Sequence, residues 1–167
     1  QKLQDMQAES PMIKEEENAT FMAHYDPVSG AYNKSKLVHD LKDLIAIKKF
    51  SLLAFNVIGF KNYSEIYGYD FADQLIFAIC KYLKAYDSGY RIYHFDGDKF
   101  VVAITNQNDK RAMIKIAKEI SSYLSTKLKT LNYRLNLNFE VGILRYPTDT
   151  LDQDPIKLID YLLSALS

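Results

Sequence analysis

Cysteine occurs once in the 167 residues, tryptophan not at all and arginine only four times. A single thiol cannot close an internal disulfide, and Cys80 sits inside an apolar helical pattern, so it reads as a small buried hydrophobe in a chain compatible with a reducing compartment. Lys plus Arg and Asp plus Glu balance at 21 each, and with so little arginine there is no basic footprint for a nucleic-acid backbone. DNA and RNA are therefore not expected as partners. Long apolar runs are missing too: Leu52–Phe55 and Leu75–Cys80 fall far short of a bilayer span, and no signal-peptide pattern opens the chain. The expectation is a soluble piece without membrane contact of its own, cytoplasmic or the cytoplasmic part of a membrane-anchored protein. The three histidines (His24, His39, His94) are scattered, no Cys/His cluster has zinc spacing, and each histidine reads as structural.

What is present suits one domain with a sizeable core, at 48% hydrophobic and 13% aromatic residues and with no internal repeat or low-complexity tract. Residues 1–24 read as a linker ending in a short helix: they are polar, carry Glu15-Glu16-Glu17, and have sparse apolar residues interrupted by Pro11. This is either a leftover segment or a connecting helix from an upstream sensor. The domain proper is expected over 25–167, with its last helix cut at Ser167 as in a fragment of a longer chain.

Within it, Asp26-Pro27-Val28-Ser29-Gly30 predicts a tight turn, followed by a helix through Leu37, Leu41, Leu44 and Ile45. Ser51–Ile58 is a continuous apolar run broken by Asn56, the pattern of a strand buried on both faces. A helix from about Asp70 to Tyr86 turns Leu75, Ile76, Ile79, Leu83 and Tyr86 inward, with Asp70 as its N-cap. Asp73 lies in its first turn, where the helix dipole alone is reason enough for a carboxylate. A further helix capped by Asn108 or Asp109 carries Met113, Ile116, Ala117, Ile120 and Leu124. Arg134–Arg145 alternates as a strand with one polar face, and Asp154-Pro155 begins a last helix.

The most telling stretch is Tyr90–Ile104, YRIYHFDGDKFVVAI, where two apolar runs flank Asp96-Gly97-Asp98-Lys99. Asp-Gly between such runs signals a β-hairpin, and Asp96 is explained as a turn former. Asp98, at the mouth of a buried strand, is either part of that turn or a ligand for a cation.

His94-Phe95-Asp96-Gly97-Asp98-Lys99-Phe100 resembles a degraded Arg-Tyr-Gly-Gly-Asp/Glu-Glu-Phe signature of GGDEF domains, the diguanylate cyclase family. Asp26, Ser29, Gly30 and Asn33 are similar to the Asp-x-Leu-Thr-Gly-Leu-x-Asn-Arg stretch that opens those domains. Asn56 to Asp73 keeps the frame of the family's strand-loop motif, and the similarity runs from about Tyr25 to Ser167. The resemblance implies an α+β fold like the palm of nucleotidyl cyclases: a five-stranded, mainly antiparallel sheet with a ferredoxin-like core wrapped by helices.

It also implies roles. Phe60 and Lys61 fall at the phosphate loop and Asp73 on the guanine-binding carboxylate, while Ser64 stands where the family has a guanine-reading asparagine. The metal-binding positions fall on Asn56, the backbone of Val57, and Asp98, and Lys99 replaces the catalytic glutamate beside Asp98. The implied ligand is GTP with Mg²⁺ or Mn²⁺ at a weakened site, because Asn56 gives an oxygen without a charge and Lys99 reverses one. A homodimer, an upstream sensor and an EAL-type phosphodiesterase domain in the same chain are the partners that family membership suggests. The family's inhibitory Arg-x-x-Asp window becomes Asp87-Ser88-Gly89-Tyr90, without its arginine, so feedback binding of cyclic di-GMP is expected to be absent. Three functions remain open: a catalytically degenerate, GTP-binding regulatory module, an active cyclase joining two GTP into cyclic di-GMP, and a ligand-free dimerisation or interaction module.

Overall fold

The computed structural model describes residues 23–130 and 135–166, so the expected linker, but for its last two residues, lies outside the described residues, as does Arg134. Along the chain run α1 (Lys34–Ile47), β1 (Phe50–Val57), α2 (Phe60–Tyr67), α3 (Tyr69–Tyr86), β2 (Arg91–Phe95), β3 (Lys99–Thr105), α4 (Lys110–Leu128), β4 (Phe139–Tyr146) and α5 (Pro155–Ser164). From β1 onward this is the β-α-β-β-α-β order of the ferredoxin-like motif, with α2 and α3 filling the first crossover. The sheet order is β2-β3-β1-β4 and every neighbouring pair is antiparallel.

β1 takes the centre because both of its faces are apolar: Leu52, Leu53, Ala54 and Phe55 are each 0% exposed. Strand side chains alternate, so Leu53, Phe55 and Val57 enter the layer under α3 and α4, and Phe50, Leu52 and Ala54 enter the layer under α1 and α5. The inward stripes agree with the sequence pattern: Leu75, Ile76, Ile79 and Leu83 on α3, Met113, Ala117, Ile120 and Leu124 on α4, Leu37, Leu41 and Leu44 on α1 are all buried. Cys80 is buried among them. Helix starts follow side-chain chemistry, with Asn33, Asp109 and Asp154 each accepting a backbone N–H at the first turn and Pro155 following the last cap. α5 presses onto β4 at Gly142, where a Cβ would sit 2.9 Å from the Leu162 carbonyl oxygen.

Three expectations are corrected. Four strands, not five, form the sheet among the described residues. The expected strand over 134–145 begins only at Phe139. Leu135 and Leu137 are buried as the alternation requires, but their stretch of backbone serves other partners. Leu137 O accepts from Ser125 Oγ at 2.8 Å, and Asn138 O accepts from Ile58 N at 2.9 Å. Burial with period two thus arises here without a ladder. Finally, Asp70 is not the cap of α3. A helix not expected from the sequence, α2, comes first, and Gly68 (φ 90°) both ends α2 and starts α3, leaving Asp70 in the first turn. The positive φ is what requires glycine at that joint. Among the described residues no helix is long and apolar enough to cross a membrane.

Candidate functional site

β1 runs toward the hairpin tip, antiparallel to β3, which starts there, and their register sets Asn56 opposite Lys99. On its other side Asn56 is opposite Glu140 of β4. Directly opposed residues of antiparallel strands share a face, with Cβ atoms roughly 4.5–5.5 Å apart. Lys99, Asn56 and Glu140 therefore form a row across one end of the sheet. Asp98 leads into the row, with Lys99 Nζ 4.0 Å from its Oδ1. Burial pushes the Asp98 carboxyl above the usual aspartate value; Lys99 draws it back, and the charge of Glu140 pushes it further up. Asn56 Oδ1 is buried and has no hydrogen-bond partner among the described residues, a situation that ordinarily costs about 1–3 kcal/mol.

The expected hairpin is present, with Phe95 opposite Lys99 and Asp96-Gly97-Asp98 at the tip. Asp96 and Gly97 have φ of 52° and 85°, a left-handed turn that Asp tolerates and Gly prefers. The tip is held from behind. Buried His94 places Nε2 2.7 Å from Gly97 O and Nδ1 2.9 Å from Asp26 Oδ2. A carbonyl and an ionised carboxylate can only accept, so both contacts are hydrogen bonds when both ring nitrogens carry a proton. Asp26 Oδ2 also accepts from Ser29 N and Ser29 Oγ, each at 2.8 Å. Burial pushes the Asp26 carboxyl up, but the Ser29 donors and His94 outweigh it and the net shift is downward. The opening turn thus positions the hairpin across 68 residues of sequence.

The rest of the sequence-predicted site lies downstream of β1. Gly59 (φ 75°) precedes α2, whose first two residues are Phe60, packed on the core, and Lys61, exposed. Ser64 Oγ donates to Lys61 O at 2.9 Å, a bond within α2. Asp73 is exposed on α3 and lines an open cavity of about 480 Å³ with Val28, Gln74, Phe77, Ala78, Lys81 and Tyr82. Neither Ser64 nor Lys61 lines it. The structure therefore gathers Asn56, Val57, Asp98 and Lys99 at one end of the sheet, sets Phe60 and Lys61 directly after them, and places Asp73 apart on the next helix. In the loop before β2, Asp87 Oδ1 accepts from Gly89 N at 2.8 Å, and the guanidinium that follows, Arg91, is paired with buried Asp40 at 3.2 Å.

The profile of the family described as "Diguanylate cyclase, GGDEF domain" matches residues 23–166. The chain belongs to the GGDEF family. Its sequence is 27% identical over 114 residues to the diguanylate cyclase VdcA of Vibrio cholerae, a match that covers 67% of this chain and 32% of the relative; the chain thus spans about a third of that protein. In fold it is similar to the coiled coil and GGDEF domain of DgcB from Caulobacter crescentus in complex with c-di-GMP, with a TM-score of 0.79 at 15% identity, covering 98% of this chain and 90% of that one. It is likewise similar to the S helix-GGDEF-EAL portion of Vibrio cholerae LapD bound to c-di-GMP, with a TM-score of 0.71 at 18% identity, covering 94% and 36%.

Diguanylate cyclases imply a divalent cation, and the donor set here fits a hard ion in kind. Asn56 Oδ1 lacks a partner, Asp98 is a carboxylate that burial disfavours in its charged form, and Val57 adds a backbone carbonyl. It falls short in charge, since Lys99 stands beside Asp98 and no group of three or more His, Cys, Asp or Glu converges among the described residues. Glu140 and the His94–Asp26 pair are the parts that sequence reasoning missed. The signal for Glu140 was its place on the polar face of β4, which acquires meaning only once the register puts it beside Asn56.

Proposed function

We propose that this GGDEF domain is a catalytically degenerate regulatory module that binds GTP with Mg²⁺ or Mn²⁺ and does not convert it to cyclic di-GMP. The observation that carries this reading is the direct opposition of Asn56 and Lys99, two departures from the family pattern that meet at one point of the sheet, against Asp98. A bound divalent ion would supply charge neutralisation at the phosphate oxygens, the main term in phosphoryl transfer. In this chain Lys99 offers a point charge where the family's catalytic carboxylate stands. Phe60 and Lys61 offer backbone N–H groups at the start of α2 and an exposed ammonium for phosphate. Asp73 accepts from the N1 and N2 donors of guanine. Ser64, a single hydroxyl, replaces an amide that both donates and accepts, so affinity is modest.

As a regulatory element the domain sits in a larger signalling protein with an upstream sensor and an EAL-type phosphodiesterase domain, in a homodimeric assembly in the cytoplasm. GTP then regulates only through different affinities for two arrangements of that protein. Calorimetry tests the binding: GTP saturates in the presence of Mg²⁺ or Mn²⁺, ATP binds more weakly, and Asp73→Ala removes the preference for GTP. No saturable binding at millimolar GTP with either metal, or an unaltered preference in Asp73→Ala, overturns this reading. A ligand-free interaction module then takes its place, which the exposure of Ile66 (72%) and Tyr69 (84%) favours.

A further inference from the structure

We infer that Glu140 supplies the second carboxylate of the cation site, standing in for the acidic group that position 56 lacks. This rests on the reading above that the hairpin end of the sheet holds a divalent ion. Glu140 lies directly across from Asn56 on the same face of the sheet, on the side away from Lys99. Its side chain is half-buried and forms no ion pair or hydrogen bond among the described residues. A half-buried carboxylate normally secures a cation or a donor, because desolvation without compensation is costly. Here it instead lies directly across the ladder from a buried carboxamide oxygen, Asn56 Oδ1, that also has no donor, at the end of the sheet where Asp98 enters.

Two oxygen acceptors without partners among the described residues, Asn56 Oδ1 and the Glu140 carboxylate, thus lie on opposed residues at the sheet's end where Asp98 enters, and Lys99, 4.0 Å from Asp98, is outside salt-bridge distance of Glu140. A single divalent ion held between them gives both of these oxygens a partner and takes Asp98 as a further oxygen ligand. Mg²⁺ and Mn²⁺ are the class that suits carboxylate, amide and water oxygens. The carboxylate has moved from the central strand to the neighbouring one, which keeps it on the same face because opposed residues of a ladder point the same way.

The test uses Mn²⁺ alone, so that it does not depend on GTP. The free-ion electron paramagnetic resonance signal is followed while the purified chain is titrated, for wild type, Glu140→Gln, Glu140→Asp and Asn56→Asp. Wild type retains Mn²⁺, Glu140→Gln weakens retention by roughly tenfold or more, the scale on which groups that support a metal change its affinity. Glu140→Asp recovers part of the loss, and Asn56→Asp tightens retention. Urea unfolding of Glu140→Gln checks that the variant is folded, and a variant that fails this check hands the decision to Glu140→Asp, which must still bind more weakly than wild type. Equal retention by wild type and Glu140→Gln, or none by wild type at millimolar Mn²⁺, overturns the inference. Mn²⁺ retention that depends on Glu140 in a chain that ignores GTP would sink the nucleotide reading and leave the cation site standing.

Discussion

In the middle of the sheet Ala54 lies between Val101 of β3 and Gly142 of β4, and all three are buried. One pleat further along the same ladder, Asn56 lies between Lys99 and Glu140. The backbone pairing, the face of the sheet and the flanking strands are the same, yet the first row is closed against helices α1 and α5 while the second carries two charges and an unpartnered oxygen. The difference shows where the chain keeps stability and where it gives some up. Polar groups are not left unsatisfied at random in a well-packed ladder, and rules of satisfaction tend to be broken where a site needs them broken.

The largest expected contrast comes from cutting the apolar side. Phe55, 0% exposed beside Asn56, is expected to cost about 3–5 kcal/mol as Phe55→Ala, read as a lowered urea midpoint. Asn56→Ala is expected to cost far less, because its oxygen makes no bond to lose; equal losses would erase the comparison.

Next in size is the clamp behind the hairpin. Asp26→Asn at neutral pH weakens the bonds from Ser29 and His94 and is expected to cost about 1–3 kcal/mol. Because the folded carboxyl is held below the usual aspartate value, its contribution is complete above that usual value and disappears as pH falls through the lowered one. Wild type and Asp26→Asn should therefore converge in stability only under acid; a gap that persists undiminished at the lowest pH would contradict this.

Asp98 should behave in the opposite sense. Its folded carboxyl is held above the usual value, chiefly by burial, so it costs stability once pH climbs through the ordinary aspartate range, and the cost is complete above the raised value. Asp98→Asn is expected to raise the urea midpoint slightly at neutral pH and to leave it unchanged under acid, while losing Mn²⁺ retention. A lowered neutral midpoint would mean that Asp98 is there for structure alone.

The smallest effect concerns the loop before β2. Exchanging Asp87–Tyr90 for alanine and glycine should leave cyclic di-GMP binding as absent as before, since the window holds no arginine and Arg91, which follows it, is paired with Asp40. Micromolar binding abolished by that exchange would restore a feedback site to this end of the molecule.

Much of the fold was legible because apolar periodicity and caps act locally: the stripes of α1, α3 and α4 and the helix starts at Asp109 and Asp154 can be read from a few neighbouring residues, whereas the Asn33 cap was not singled out. The hairpin was legible for the same reason, as was Asp98 at its tip. What was not legible depended on partners distant in sequence. Leu135 and Leu137 alternate like a strand, and only the position of Ser125 on α4 shows why their backbone pairs elsewhere. Gly68 hides the break between α2 and α3 because a single glycine can end one helix and begin the next. Glu140 read as one more polar residue on an outward face until the register set it beside Asn56, and His94 read as structural without the Asp26 that gives it a task.

The most direct measurement of the central claim is a time course of purified protein with GTP and Mg²⁺ or Mn²⁺, resolved by chromatography for cyclic di-GMP, run beside the double variant Asn56→Asp with Lys99→Glu. The account predicts that the wild-type chain leaves GTP intact over many hours and that the double variant gains some product. Steady formation of cyclic di-GMP by the wild-type chain would contradict it.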